Sequence, residues 1–158
     1  IGGFKRIEFM DDYRVKYEYL PQEFLDDYDM HLIFTGVTRN SKKILKNITC
    51  NLNKVQPMLE IVDEAHESIV DCDTSKFFKL MNEGWKQKKA TSFAITENER
   101  IKEIDTILHM NPHVLAHKLC GAGNGGFFLT FSKKDSLTTT LDNVRIRSIP
   151  YGVTGDVI

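Results

Sequence analysis

Apolar and polar side chains alternate over the first twenty positions. Phe4, Arg6 and Glu8 stand against Lys5, Ile7 and Phe9, and Tyr13, Val15, Tyr17 and Tyr19 are separated by Arg14, Lys16 and Glu18. A period of two places alternate residues on opposite faces of a strand, which predicts two antiparallel strands joined near Asp11-Asp12. An acidic, turn-like stretch from Pro21 to Asp29 leads into Met30-His31-Leu32-Ile33-Phe34. That run has the length and apolarity of a buried strand and ends at Thr35-Gly36.

From Asn40 the period becomes helical. Ile44, Leu45 and Ile48 share one side of a helix over Ser41 to Thr49. Asn53 is placed to cap a second helix with Pro57 in its first turn and Val55, Met58, Leu59, Val62, Ala65 and Ile69 along one face. Thr74 starts a third, carrying Phe77, Phe78, Met81 and Trp85; Thr96 and Glu99 form a capping box for a fourth, carrying Ile101, Ile104 and Leu108 and stopped by Asn111-Pro112. Strands return at Val114 to Leu119, Phe127 to Phe131 and Val144 to Ile149. Helices set between two groups of strands predict an α+β fold: a two-layer sandwich with an antiparallel sheet and helices on one side, ferredoxin-like in kind.

The 158 residues suit one domain, 1–158, with one substantial core. Twenty-one basic against 22 acidic side chains leave a net charge of −1, which argues against nucleic acid as a partner. No apolar run approaches the ~20 residues of a membrane span, so no membrane partner is expected. Cys50, Cys72 and Cys120 are odd in number and lack a Cys-x-x-Cys pair, so a cytoplasmic setting is expected and the Asn47-Ile48-Thr49 glycosylation pattern is discounted. The amino end, Ile1-Gly2-Gly3-Phe4, has no initiator Met or signal core and reads as a cut within something longer.

The strongest local signal is Gly121-Ala122-Gly123-Asn124-Gly125-Gly126. It fits Gly-x-Gly-x-x-Gly literally, but dinucleotide binding requires a helix after the loop, and Phe127-Phe128-Leu129-Thr130-Phe131 is a strand. The Gly-Lys-Ser/Thr ending of a Walker loop is missing, and so are the His-Arg-Asp and Asp-Phe-Gly partners of a protein-kinase loop. What remains is a strand, glycine turn, strand unit that lets another backbone or a phosphate approach, with Asn124 tolerating a left-handed conformation. A plain hairpin needs only two turn residues, and each glycine in excess costs about 0.5–1 kcal/mol relative to alanine.

Lys118-Leu119-Cys120-Gly121-Ala122-Gly123-Asn124-Gly125-Gly126-Phe127 closely resembles the third conserved motif of the GHMP kinases, the superfamily of galactokinase and of homoserine, mevalonate and phosphomevalonate kinases. Gly2-Gly3-Phe4-Lys5-Arg6-Ile7-Glu8-Phe9, Leu32-Ile33-Phe34-Thr35-Gly36-Val37-Thr38-Arg39, Gly84-Trp85-Lys86-Gln87-Lys88-Lys89 and Gly152-Val153 look like its heptose and fucose kinase branch. The resemblance spans essentially the whole chain and implies the carboxyl-terminal half of a longer enzyme that uses ATP and Mg²⁺. It implies that Gly121, Ala122, Gly123, Asn124, Gly125 and Gly126 help shape the nucleotide cleft. The partners it implies are the missing amino-terminal lobe and a sugar or sugar-phosphate substrate. The family's Pro-x-x-x-Gly-Leu-Gly-Ser-Ser phosphate loop and its amino-terminal catalytic Asp have no counterpart in these residues, so no catalytic residue is assigned and the chain alone is expected to be inactive.

Thr35 and Arg39 stand where a buried strand runs towards a helix start, a place where N–H groups, hydroxyls and a guanidinium converge on an anion; they are the candidate substrate contacts, against the commoner reading of a simple helix cap. Trp85 reads as core, and Lys88 and Lys89 as a solvated helix end. His113 and His117 share a face of a predicted strand without a metal set around them, so no metal ligand is assigned. The leading reading is the carboxyl-terminal half of an ATP-dependent sugar kinase; the competing one is a stand-alone α+β ligand-binding or regulatory module. A homodimer remains open.

Overall fold

The computed structural model describes residues 4–38, 55–137 and 146–148. Arg39, the predicted helix over Ser41 to Thr49 and the cap at Asn53 lie outside the described residues. Two strands, β1 (Lys5–Phe9) and β2 (Val15–Tyr19), form a separate antiparallel hairpin. β3 (Tyr28–Phe34) then enters a four-stranded antiparallel sheet of order β4-β5-β3-β6, with β4 at Val114–Leu119, β5 at Phe127–Lys133 and β6 at Ile146–Ser148. Three helices intervene: α1 (Gln56–Val70), α2 (Thr74–Thr91) and α3 (Glu99–Met110).

Register decides which side chains meet. Ile33 pairs with Phe128, which pairs with Leu119, so these three share one face of the sheet. They pack with Ile95 and with Ile101, Ile104 and Leu108, the apolar stripe of α3. Met30, Phe131 and Ala116 share the other face and join Phe77, Phe78 and Ile69. α2 flanks the edge strand β4. Asn82 donates to Leu115 O (2.9 Å) and accepts from His117 N–H (3.3 Å), so the edge is covered by a helix rather than left to pair with another chain.

Local chemistry moves several boundaries. β3 begins at Tyr28, inside the stretch read as a turn, because the register with β5 runs on to Tyr28↔Lys133. Asp73 caps α2 by accepting from Lys76 N–H (2.8 Å). The capping box expected at Thr96 is absent: Thr96 ends a short 3₁₀ turn, Phe93–Thr96, and Asn98 caps α3 instead, its Oδ1 accepting from Arg100 N–H (2.9 Å). α1 starts after Val55 without a side-chain cap. His113 precedes β4 and a register shift lies between Val114 and Ala116, so the expected shared face for His113 and His117 does not form; His113 is exposed and His117 buried.

Candidate functional site

The glycine loop connects β4 to β5 and is held from three sides. Cys120 N–H donates to Phe127 O (2.9 Å) across its mouth. At its far end Gly126 O accepts from Thr35 N–H and from Thr35 Oγ1, both at 2.9 Å, while Gly126 N–H donates to Val37 O (3.0 Å). In the middle Asn124 N–H donates to Ile95 O (2.7 Å), and Asn124 Oδ1 accepts from Asn98 N–H (3.2 Å). The loop is thereby tied to the end of β3, to the 3₁₀ turn and to the start of α3.

This path requires glycine. φ is +72° at Gly121, +111° at Gly123, +150° at Gly125 and +94° at Gly126, and Asn124 sits at +53° in the left-handed region that asparagine tolerates. Gly123 also meets Ile95 so closely that a Cβ would lie 2.9 Å from Ile95 Cγ2 and 3.0 Å from Ile95 Cα. The N–H groups of Gly121, Ala122, Gly123 and Gly125 find no acceptor among the described residues. Gly123 and Gly125 are buried residues, where an unpaired amide is uncommon and calls for water or a ligand. A row of such donors on side-chain-free backbone is chemically suited to phosphate oxygens.

A cavity of about 240 Å³ lies between α1, α2 and the end of β4, with Met58, Ile61, Met81 and Trp85 in its apolar wall and Cys120 and Gly121 at the loop side. Lys88 borders it too. Its Nζ donates to Leu119 O (3.1 Å) and to Gly121 O, and stands 5.8 Å from the centre of the Trp85 ring. Lys88 is therefore a tether between α2 and the loop, where the sequence suggested only a solvated helix end.

Lys89 is engaged as well. Its Nζ pairs with Asp105 Oδ2 (2.6 Å), while Asp105 Oδ1 receives Trp85 Nε1–H (2.7 Å) and lies 2.8 Å from His117 Nε2. Burial pushes the Asp105 carboxyl up, yet hydrogen bonds from His117, Lys89 and Trp85, with the Lys89 charge, outweigh it and hold the pKa at about 2. The cluster joins α2, α3 and β4 directly behind Phe128. His31 is a second buried polar group: burial lowers its pKa, the Asp29 charge opposing, and its Nε2 lies 3.3 Å from Ser132 Oγ.

Of the sequence candidates, the structure brings Thr35 to the glycine loop, where its hydroxyl is committed to Gly126 O and buried. Trp85 is core, as its spacing suggested. Ile95, Lys88 and Asp105 were missed. Asp105 had a sequence signal, a carboxylate beside the Ile101, Ile104 and Leu108 stripe that burial obliges to find partners; Ile95 and Lys88 had none, since their partners lie far away along the chain. Among the described residues no three His, Cys, Asp or Glu side chains come together to hold a metal ion, so no Mg²⁺ ligand is assigned to them. No described helix is long and apolar enough to cross a membrane.

No protein-family model and no curated protein sequence matches the chain. Solved structures do. The chain is similar to L. major mevalonate kinase in complex with R-mevalonate (TM-score 0.60, 17% identity, 77% of this chain and 38% of the kinase). It is similar to a D-glycero-D-manno-heptose 1-phosphate kinase from Bacteriodes thetaiotaomicron (TM-score 0.61, 18% identity, 94% and 42%) and to Lactococcus lactis galactokinase complexed with galactose (TM-score 0.60, 20% identity, 85% and 44%). The chain thus spans less than half the length of these kinases. Its glycine loop, its antiparallel sheet and its flanking helices make it an α+β sandwich with the fold of the GHMP kinase carboxyl-terminal domain.

Proposed function

We propose that this chain, residues 1–158, is the carboxyl-terminal part of an ATP-dependent kinase that phosphorylates a hydroxyl of a sugar or sugar phosphate. The observation that carries the reading is the loop Gly121–Gly126: the N–H groups of Gly121, Ala122, Gly123 and Gly125 find no acceptor among the described residues, and Gly121 borders a cavity. Similarity in fold to kinases, one of them a heptose 1-phosphate kinase and another a galactokinase complexed with galactose, supports it. Phosphoryl transfer depends on positioning and on stabilising charge, and backbone N–H groups supply both without a charged side chain. In the reaction the sugar oxygen bonds the γ-phosphorus, the bridge to the β-phosphate breaks, ADP leaves and the hydroxyl proton passes to a base.

Within this reading Gly121, Ala122, Gly123 and Gly125 offer N–H groups to nucleotide phosphates, and Asn124 and Gly126 fix the turn. ATP brings the transferable group and Mg²⁺ its charge compensation; a phosphate-binding lobe outside this chain completes the cleft. Thr35 acts by holding Gly126, and Arg39 is a substrate contact. A cytoplasmic setting accords with both substrates.

The test is ADP release by the longer polypeptide that carries this chain, given ATP, Mg²⁺ and a panel of sugars and sugar phosphates, with Gly121→Ala as the probe. Gly121 is exposed and its φ of +72° lies near the left-handed region, where alanine costs about 1 kcal/mol, so the fold survives. The expected result is turnover in the parent and a clear drop in the variant at a Tm lowered by only a few degrees. Turnover that ignores the substitution removes the loop from the mechanism, and a parent that turns over nothing in the panel refutes the reading.

A further inference from the structure

The oxygen and the N–H of a trans peptide point in opposite directions, so a group that grips the oxygen also aims the N–H. No peptide among the described residues is cis. Lys88 Nζ grips two carbonyls where β4 runs into the glycine loop, Leu119 O (3.1 Å) and Gly121 O. The peptide of Leu119 O carries the N–H of Cys120, which faces the other way and donates to Phe127 O (2.9 Å), closing the mouth of the loop. The peptide of Gly121 O carries the N–H of Ala122, one of the four that find no acceptor among the described residues. Between the two carbonyls the backbone turns at Gly121, with φ at +72°.

The charge on Lys88 matters as much as its reach. An ammonium offers three donors and no acceptor, and its hydrogen bonds are roughly twice as strong as those of a neutral donor. A carbonyl bound in this way polarises its own peptide and makes the N–H a better donor. The grip is also firmly founded. Trp85, one turn before Lys88 in α2, is buried and donates to Asp105 of α3 (2.7 Å), and Lys89 pairs with the same carboxylate (2.6 Å). The end of α2 is therefore fixed by the core, independently of the loop that Lys88 reaches.

We propose that Lys88 is a positioning residue for phosphate: by holding Gly121 O it turns the Ala122 N–H to the opposite side of the loop, polarises it and presents it as a preorganised donor to the nucleotide. The inference rests on the kinase reading above and deepens it by naming the side chain that sets the donor geometry of the loop. Lys88 acts from the carbonyl side, through the peptide. Preorganised donors stabilise charge at no cost in rearrangement, so the benefit appears in turnover rather than in folding alone.

ADP release and nitrogen–proton spectra of the longer polypeptide, with parent, Lys88→Met and Lys88→Arg compared, test the assignment. Met keeps an unbranched apolar stem and loses the donors; Arg keeps the charge and the donors. Lys88→Met is expected to lower kcat/KM for ATP about tenfold, less than the hundredfold or more that outright loss of a donor costs, and Lys88→Arg to restore most of it. Without nucleotide, the Ala122 amide and the Gly121 carbonyl carbon are expected to move upfield in Lys88→Met and to stay near their parental positions in Lys88→Arg. Unchanged kcat/KM in a folded Lys88→Met protein overturns the proposal. A loss of activity with the Ala122 signal unmoved also overturns it, since that is the pattern of a merely structural lysine. Should Lys88→Met fail to fold, Lys88→Gln, which keeps a neutral donor, takes its place with the same expected directions and the same refutations. A parent without turnover whose Ala122 signal still answers to Lys88→Met keeps the control of the amide and sinks the kinase reading, whereas turnover that Lys88→Met leaves intact does the reverse.

Discussion

Replacing Gly123 with alanine should destabilise the protein for two reasons that can be separated. The first is conformational. φ at Gly123 is +111°, outside the left-handed well, and holding an L-residue there costs on the order of 1–3 kcal/mol. The second is steric. The new methyl would stand 2.9 Å from Ile95 Cγ2, 3.2 Å from Ile95 Cβ and 3.0 Å from Ile95 Cα. Ile95 is fully buried in the cluster of Phe128 and Leu119 and cannot move aside, so overpacking adds about 1–3 kcal/mol. Together the loss is about 2–6 kcal/mol, a large share of the stability of a domain this size. Chemical denaturation read by Trp85 fluorescence measures it. Ile95→Ala removes Cγ2 but leaves Cα and the φ penalty, so in a double-mutant cycle the two changes should couple favourably while recovering only part of the loss. A Gly123→Ala protein within about 0.5 kcal/mol of the parent, the range of a neutral surface change, would show that the loop does not pass against Ile95 as described.

The Asp105 cluster makes an acid-side prediction. Its carboxyl lies at about 2 against an ordinary 3.8, so the cluster contributes about 2 kcal/mol above pH 4 that disappears as pH falls towards 2. Asp105→Asn, which turns an amide donor towards Lys89 or His117, should lower stability at pH 7 by about 2–4 kcal/mol and abolish that acid-side loss; an unchanged pH profile would contradict the hydrogen-bond account. His31 titrates in the opposite chemical sense but the same direction of pH. Burial favours its neutral form, so the stability it confers is present above its ordinary 6.5 and is lost as pH falls through the lowered folded value. His31→Gln should flatten the stability profile just below neutrality, measured by urea midpoints, and a profile that keeps its slope would reassign the titration.

Secondary structure was legible wherever apolar spacing was regular. The stripe of Ile101, Ile104 and Leu108 marked α3, and the alternation of Phe4 to Tyr19 marked β1 and β2. The alternation did not say which face of the hairpin would turn inward, because that depends on Asp63 and His66 of α1, far along the chain. Capping was misplaced by two residues at α3 because Thr96 and Asn98 are both competent caps, and the 3₁₀ turn over Phe93–Thr96 consumed the first. The glycine loop announced itself by composition, and its flanking strands ruled out helix-borne phosphate binding. Its anchors did not show: Thr35, Ile95 and Lys88 reach it through contacts that only the folded sheet creates.

Nitrogen–proton correlation spectra of the longer polypeptide, recorded as ATP and Mg²⁺ are added, test the kinase account at its centre. Glycine amides resolve well, so the Gly121, Gly123 and Gly125 signals can be followed individually. The account predicts that these amides and that of Ala122 shift on saturation, while amides of the hairpin Lys5–Tyr19 stay in place. Saturable nucleotide binding that leaves the loop amides unmoved would contradict it.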